Sequence, residues 1–199
     1  DLHGVAVPSL TGDCFMQAPF WKASGDRRRK LEGVVLAVLD ACHTVGITTV
    51  VLPLVDQGSL ADEAEEESLV KFLLGRVEDL DRSGLQVAFE SDLAPCNLAA
   101  FIERFPSGLF GINYDIGNSA SLGFDPVEEF AAYGTRIVNV HVKDRYLGGT
   151  TVALGEGDAD FEAVYTGLSD LGYSGNFILQ TARDPGGRHL SSLVRFRDM

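Results

Sequence analysis

Short apolar runs alternate along this chain with longer segments in which apolar residues recur every three or four positions. Val5 and Val7 lead a first strand-like stretch at residues 4–7. Leu31, Val34, Val35, Val38, Leu39 and Cys42 then follow the i, i+3, i+4, i+7 spacing of an amphipathic helix. Residues 48–55, TTVVLPLV, are continuously apolar, as expected of a parallel strand covered on both faces. Leu69, Phe72, Leu73, Val77 and Leu80 mark one further helix. Strand 85–90, helix 98–105, strand 109–115, helix 126–133, strand 136–142, helix 161–171 and strand 176–180 complete the series. Asp160 is placed to cap the last of these helices. Pro53 has no N–H for a sheet ladder, which predicts a bulge near the end of its strand.

Such βαβα alternation implies a parallel sheet with helices outside it. An open sheet and a closed barrel share that pattern, and the strand ends separate them. Asp56, Glu90, Asp115, His141 and Gln180 each stand at or just past the C-terminal end of successive strands. A barrel gathers every strand end around one mouth, whereas an open sheet gathers ligand groups at one switch point. The expected fold class is therefore α/β, a parallel (β/α) TIM-type barrel. Six strands and 199 residues fall short of the eight strands and roughly 250 residues usual for that fold. The expected organisation is one partial barrel domain over residues 1–199, lacking the first two βα units.

Composition narrows the partners. Hydrophobic residues make up 45% of the chain and charged residues 23%, an ordinary globular balance. A net charge of −13 repels phosphate backbones and anionic lipid, so neither nucleic acid nor membrane is an expected partner. There is no apolar run of spanning length and no signal-like start. Cys14, Cys42 and Cys96 are odd in number and without CxxC spacing, which argues for a reducing, cytoplasmic setting.

Strand alternation turns Glu90, Asp115, His141 and Gln180 inward, because Phe89, Tyr114, Val140 and Leu179 point to the helices. Two carboxylates, an imidazole and an amide oxygen suit Mn²⁺, Mg²⁺, Co²⁺ or Zn²⁺ better than a thiolate-seeking ion. Each residue also has a plainer role: a lone strand-end histidine is commonly a satisfied structural group, Glu90 alone a solvated turn acid, and Gln180 a structural hydrogen-bonder. Arg145, Arg183 and Arg188, with Gly148–Gly149 and Gly186–Gly187, follow the last two strands, where barrels often hold phosphate. Surface arginines and flexible glycines fit the same pattern. The acidic run DEAEEE at 62–67 complements a helix start, and the basic residues 27–30 read as a solvated helix start. His3, His43 and His189 have no partner pattern.

The stretches VVLPLVD (50–56), VAFESDLAP (87–95), YDIGNSASLGFDP (114–126), VHVKDR (140–145), LGEGDADF (154–161) and FILQTAR (177–183) resemble the xylose isomerase-like TIM-barrel sugar-phosphate isomerases and epimerases. Within that family, the chain resembles the L-ribulose-5-phosphate 3-epimerase and hexulose-phosphate isomerase relatives. That resemblance implies a divalent-metal site of Glu90, Asp115, His141 and Gln180, with Glu90 also a proton-transfer base. The position of Gln180 is a second catalytic glutamate in most of the family. It further implies a sugar or sugar phosphate as substrate, with Asp56, Asn118, Lys143, Arg145 and Arg183 as substrate-binding candidates. Endonuclease IV-type relatives need several more histidines than the four present, and Asn118 stands where one would be expected.

An amide cannot take a proton at neutral pH, so Gln180 removes the second base that epimerisation normally uses. Aldose–ketose isomerisation along one face with one base survives this change better. The alternative reading is a metal- or sugar-binding barrel without turnover, and an AP-endonuclease-like repair enzyme ranks third. Open sheet edges at the first and last strands predict a homo-oligomer.

Overall fold

The computed structural model describes residues 4–184 and 186–198, so His3 lies outside it. The chain divides into two compact units. The first comprises residues up to Leu93 with Ala100–Gly111; the second comprises Ala94–Ala99 and the chain from Ile112 onward.

In the first unit, strand β1 (Ser9–Thr11) is followed by the short helix α1 (Asp13–Gln17) and the long helix α2 (Gly25–Val45). Strand β2 (Thr49–Leu54), helices α3 (Glu63–Leu74) and α4 (Val77–Ser83), and strand β3 (Gln86–Ser91) complete the run. β2 pairs in parallel with both β1 and β3 and is buried along its whole length, as its continuous apolar run requires. Helix α2 turns Val35, Leu39 and Cys42 inward and ends at Gly46, whose φ of 81° only glycine adopts cheaply. Asp62 caps α3 by accepting the Glu65 N–H at 2.9 Å, which gives the acidic run its expected place at a helix start.

Three expectations need correction. The first strand is Ser9–Thr11 and not residues 4–7; pairing starts where the Pro8 carbonyl accepts the Thr48 and Thr49 N–H groups, and Val5 and Val7 stay exposed. The apolar stripe from Leu69 to Leu80 belongs to two helices, because the chain leaves the helix at Gly75–Arg76 and restarts at Val77. Pro53 sits in unbroken register opposite Glu90 with no bulge. The Val51 carbonyl accepts the Gly12 N–H, so Pro53, two residues on, faces the same side. There β1 has already ended, and no N–H is wanted.

An aromatic cluster of Phe89, Phe101, Phe105 and Phe110, with centroids 4.7–6.1 Å apart, closes the core behind β3. Beside β2, Phe20, Trp21 and Phe72 pack together, and Trp21 Nε1 donates to the Gly58 carbonyl at 3.2 Å. A Cβ on Gly58 would lie 2.6 Å from the Pro53 carbonyl, so the turn after β2 can pass only as glycine.

Helix α5 (Pro95–Ile102) and strand β4 (Phe110–Asp115) are divided between the two units. The second unit continues with helices α6 (Ile116–Leu122) and α7 (Pro126–Tyr133) and strand β5 (Ile137–Val142). A small antiparallel hairpin, β6 (Asp144–Arg145) with β7 (Thr151–Val152), precedes helix α8 (Phe161–Asp170), strand β8 (Asn176–Leu179) and helix α9 (His189–Arg197). β4, β5 and β8 pair in parallel, and a register shift between Ile112 and Asn113 places the irregularity of this unit in β4. Asp160 caps α8 by accepting the Ala163 N–H at 2.9 Å, as expected. Helix α7 begins and ends where the sequence predicts. Among the described residues, no helix is long and apolar enough to cross a membrane.

Candidate functional site

The second unit builds its polar centre from the inward faces of β4 and β5. Parallel register sets Asn113 beside Asn139 and Asp115 beside His141, and neighbours in register share a face. All four are buried, with at most 4% exposure. Asn139 Nδ2 donates to Asn113 Oδ1 at 2.6 Å, and Asn113 Nδ2 lies 3.1 Å from His141 Nδ1. The two asparagines thus form a polar floor that fixes the imidazole. Asn139 Oδ1 is buried and meets no donor among the described residues, so this floor has spare acceptor capacity.

Asp115 ends β4 and also caps α6, accepting the Asn118 N–H at 2.8 Å on Oδ1. Its Oδ2 faces Lys143 Nζ at 3.1 Å and His141 Nδ1 at 3.7 Å. Burial alone would raise the Asp115 carboxyl. The His141 contact, the Lys143 charge and the Asn118 N–H together outweigh burial and hold it below the usual carboxylate range. The 3.7 Å gap to His141 is too long for a hydrogen bond. With Nδ1 facing Asn113, Nε2 is the ring nitrogen left to bind an ion, and the ligand atoms that Asp115 and His141 offer lie within 4.8 Å of each other. A buried carboxylate and imidazole so spaced fit a hard or borderline divalent cation.

Around this pair, Lys143 also donates to Asn118 Oδ1 at 3.2 Å, and Arg145 Nη1 donates to the same oxygen at 2.8 Å. Arg145 Nε and Nη2 both reach the Gly149 carbonyl, at 3.1 and 2.7 Å. A Cβ on Gly117 would lie 2.8 Å from Lys143 Cγ, so glycine lets the lysine lie flat against α6. Gln180, one residue past β8, is exposed; its N–H donates to the Val142 carbonyl at 3.0 Å. Register places it on the His141 side of the sheet, since His141 pairs with Ile178. Arg183 is exposed.

In the first unit, Glu90 is buried near the end of β3, on the face it shares with Ala88 and Pro53. Asp56 is exposed at the end of β2 and is the one non-glycine residue with positive φ, 51°, among the described residues. Backbone held in that region costs energy and clusters at functional sites. His43 and His189 have structural partners: His43 Nδ1 lies 2.9 Å from the Ser83 carbonyl, and His189 Nδ1 accepts the Asp184 N–H at 3.0 Å.

A model of the family described as xylose isomerase-like TIM barrel matches residues 1–196. The chain belongs to that family. It is 28% identical over 195 residues to L-ribulose-5-phosphate 3-epimerase UlaE of Escherichia coli O1:K1 / APEC, covering 92% of this chain and 68% of that protein. A D-tagatose 3-epimerase-like protein superposes with a TM-score of 0.74 at 20% identity, over 100% of this chain and 78% of its own. A xylose isomerase domain protein from Planctomyces limnophilus gives 0.73 at 22% identity, over 87% of this chain and 66% of its own. The chain thus spans about two thirds of that last protein. Together these matches establish the parallel (β/α) barrel, in incomplete form, as the fold.

The structure also brings out a residue that strand-end reasoning passed over. Asp144 of the VHVKDR stretch is fully buried and accepts the N–H groups of Gly155 and Gly157 on Oδ2, at 2.8 and 2.9 Å. It also accepts the Ala159 N–H at 3.2 Å on Oδ1. The LGEGDADF stretch is thus a loop wrapped around one carboxylate. A Cβ on Gly157 would sit 2.2 Å from Asp144 Oδ1, which accounts for the glycine. The available signal was the pairing of VHVKDR (140–145) with LGEGDADF (154–161) in one stretch of the chain.

Proposed function

We propose that the chain is a divalent-metal-dependent isomerase, or epimerase, of a small ketose, working through an enediolate. The observation that carries this reading is the buried Asp115–His141 pair, whose ligand atoms lie within 4.8 Å of each other at adjacent strand ends. Glu90, also buried and offering one ligand atom, is the third member of the set, and exposed Gln180 is proposed as a weak fourth ligand. Mn²⁺, Mg²⁺, Co²⁺ and Zn²⁺ suit these donors. Once held, the ion supplies charge that stabilises the enediolate oxygens. The similarity to UlaE supports a sugar substrate.

Glu90 is the base that removes the proton beside the ketose carbonyl and returns it to the neighbouring carbon. His141 is held for its role by Asn113, and Asp115 by Lys143 and the α6 N-terminus. Asp56, Asn118, Lys143, Arg145 and Arg183 are the proposed substrate-facing groups. Gln180 cannot accept a proton. One-face isomerisation, which needs a single base, therefore fits better than epimerisation. A reducing, cytoplasmic setting belongs to the same proposal, on the odd number and open spacing of Cys14, Cys42 and Cys96. Gln180 also supports a second reading, a sugar- or metal-binding protein without turnover.

Deuterium incorporation from D₂O at the carbon beside the carbonyl of ketoses separates the two. The isomerase reading expects exchange that depends on added divalent ion and is lost in Glu90→Gln. Exchange that persists in Glu90→Gln removes Glu90 from the role, and its absence on a ketose panel leaves the binding reading. Gln180→Glu is expected to add epimerisation to the unmodified activity.

A further inference from the structure

Beneath Asp115 and His141, the side chains of Asn113 and Asn139 lie side by side in register, and neither is more than 2% exposed. A carboxamide has an NH₂ that only donates and an oxygen that only accepts, so its orientation dictates where its neighbours carry their protons. Asn139 Nδ2 donates to Asn113 Oδ1 at 2.6 Å, which leaves Asn113 Nδ2 facing His141 Nδ1 at 3.1 Å. An NH₂ group in that place makes Nδ1 an acceptor. The neutral imidazole then carries its one proton on Nε2.

That tautomer is the wrong one for the metal centre proposed above. A histidine that ligates through Nε2 needs its lone pair there and donates its Nδ1–H to an oxygen. Asp115 Oδ2, 3.7 Å from Nδ1, is too far to take that proton, and the Asn113 oxygen is turned towards Asn139. A second observation bears on this conflict. Asn139 Oδ1 is the one buried side-chain oxygen with no donor among the described residues.

The reverse arrangement uses that spare acceptor. The last side-chain torsion of asparagine is broad and roughly two-fold, so an amide turns over without repacking its neighbours. With both amides turned, His141 Nδ1–H donates to Asn113 Oδ1, and Asn113 Nδ2 donates to Asn139 Oδ1. The ring gives its Nε2 proton to water and takes one up at Nδ1, so no charge is gained or lost. Two hydrogen bonds are exchanged for two, and one end of the Asn139 amide is left over either way. The balance between the arrangements is therefore set by what Nε2 faces.

We propose that Asn113 and Asn139 are positioning residues that set the tautomer of His141. As they stand they hold its proton on Nε2, and His141 becomes a ligand when both amides turn over. This rests on the metal-centre reading and adds to it the rearrangement that frees its histidine.

The ring nitrogens of His141 report on this directly, in long-range ¹H–¹⁵N correlation spectra of the ¹⁵N-labelled full chain near neutral pH. His141→Gln assigns the resonances, and Zn²⁺ serves as a diamagnetic probe. The metal-free chain is expected to show the Nε2–H tautomer and the Zn²⁺-loaded chain the Nδ1–H tautomer. Asn113→Asp, whose carboxylate only accepts, is expected to show Nδ1–H without any metal. Asn113→Leu, checked for a native circular dichroism spectrum, is expected to bind Zn²⁺ about tenfold to a hundredfold more weakly, and Asn113→Asp to recover that loss. Nδ1–H in the unmodified metal-free chain overturns the proposal. So does Nε2–H in the Zn²⁺-loaded chain, or unchanged Zn²⁺ affinity in folded Asn113→Leu. If the unmodified chain binds no Zn²⁺, the metal-centre reading fails instead. The metal-free tautomer and its change in Asn113→Asp then still decide whether the asparagines set it.

Discussion

Truncating Asp144 gives the sharpest test of how the loop beside the site is held. Its carboxylate is fully buried and collects three N–H groups from residues 155–159. Asp144→Ala removes all three acceptor contacts at once. A hydrogen bond to a charged group contributes about 1.5–3 kcal/mol when buried. Gly155 is exposed and Gly157 and Ala159 half-buried, so water recovers part of that loss. About 1 kcal/mol per bond, and about 3 kcal/mol in all, is the resulting expectation. In a chain of this size that lowers the thermal midpoint by about 6–12 °C. Asp144→Asn keeps the shape and one acceptor, and is expected to cost about 1–2 kcal/mol. Thermal melts give the total, and amide hydrogen exchange localises it to Gly155, Gly157 and Ala159. A midpoint shift below about 2 °C with unchanged protection of those amides in Asp144→Ala would refute the anchoring role.

Two further outcomes follow from the second unit and the strand edges. Glu129 is buried and accepts hydrogen bonds from Tyr114 at 2.8 Å, Tyr133 at 2.6 Å and Ser119, yet burial still pushes its carboxyl above the usual range. A raised folded value means that its contribution is fully present below about pH 4.3 and is lost as pH rises through the folded value. Urea melts across that range should show the decline in the unmodified chain and a flatter profile in Glu129→Gln; identical profiles would contradict it. The terminal strands β1 and β8, with Phe177, Leu190, Leu193 and Val194 exposed near the latter, are expected to pair with a second copy. Sedimentation at micromolar concentration should show a dimer or larger species, and a stable monomer that binds no apolar-surface dye would contradict this.

Much of the fold was legible because its long elements carry clean periods. β2 is a continuous apolar run, and α7 and α8 have both an apolar stripe and an aspartate cap. Glu90, Asp115 and His141 could be picked out because period-two alternation fixes which way a strand-end side chain points. What escaped had no period to read. Helix α6, IGNSASL, is short, with a glycine, an asparagine and two serines, and it forms because Asp115 caps it. The β6–β7 hairpin has only two residues per strand, and α9 follows a loop organised by Asp184. Val5 and Val7 alternate like a strand, but the pairing that selects β1 begins with the Pro8 carbonyl, a tertiary fact. Asn113 and Asn139 share the inward parity of Asp115 and His141, so the rule that picked out the candidate ligands also picks out the asparagines beneath them.

The buried carboxylate and imidazole at the ends of β4 and β5 are proposed to form, with Glu90, a divalent-metal centre. Titration of Mn²⁺ into the metal-stripped chain, read by calorimetry and by loss of the free-ion electron paramagnetic resonance signal, tests it directly. The account predicts one ion per chain, with binding weakened about a hundredfold or more in His141→Ala and in Asp115→Asn. Unchanged stoichiometry and affinity in both variants would contradict it.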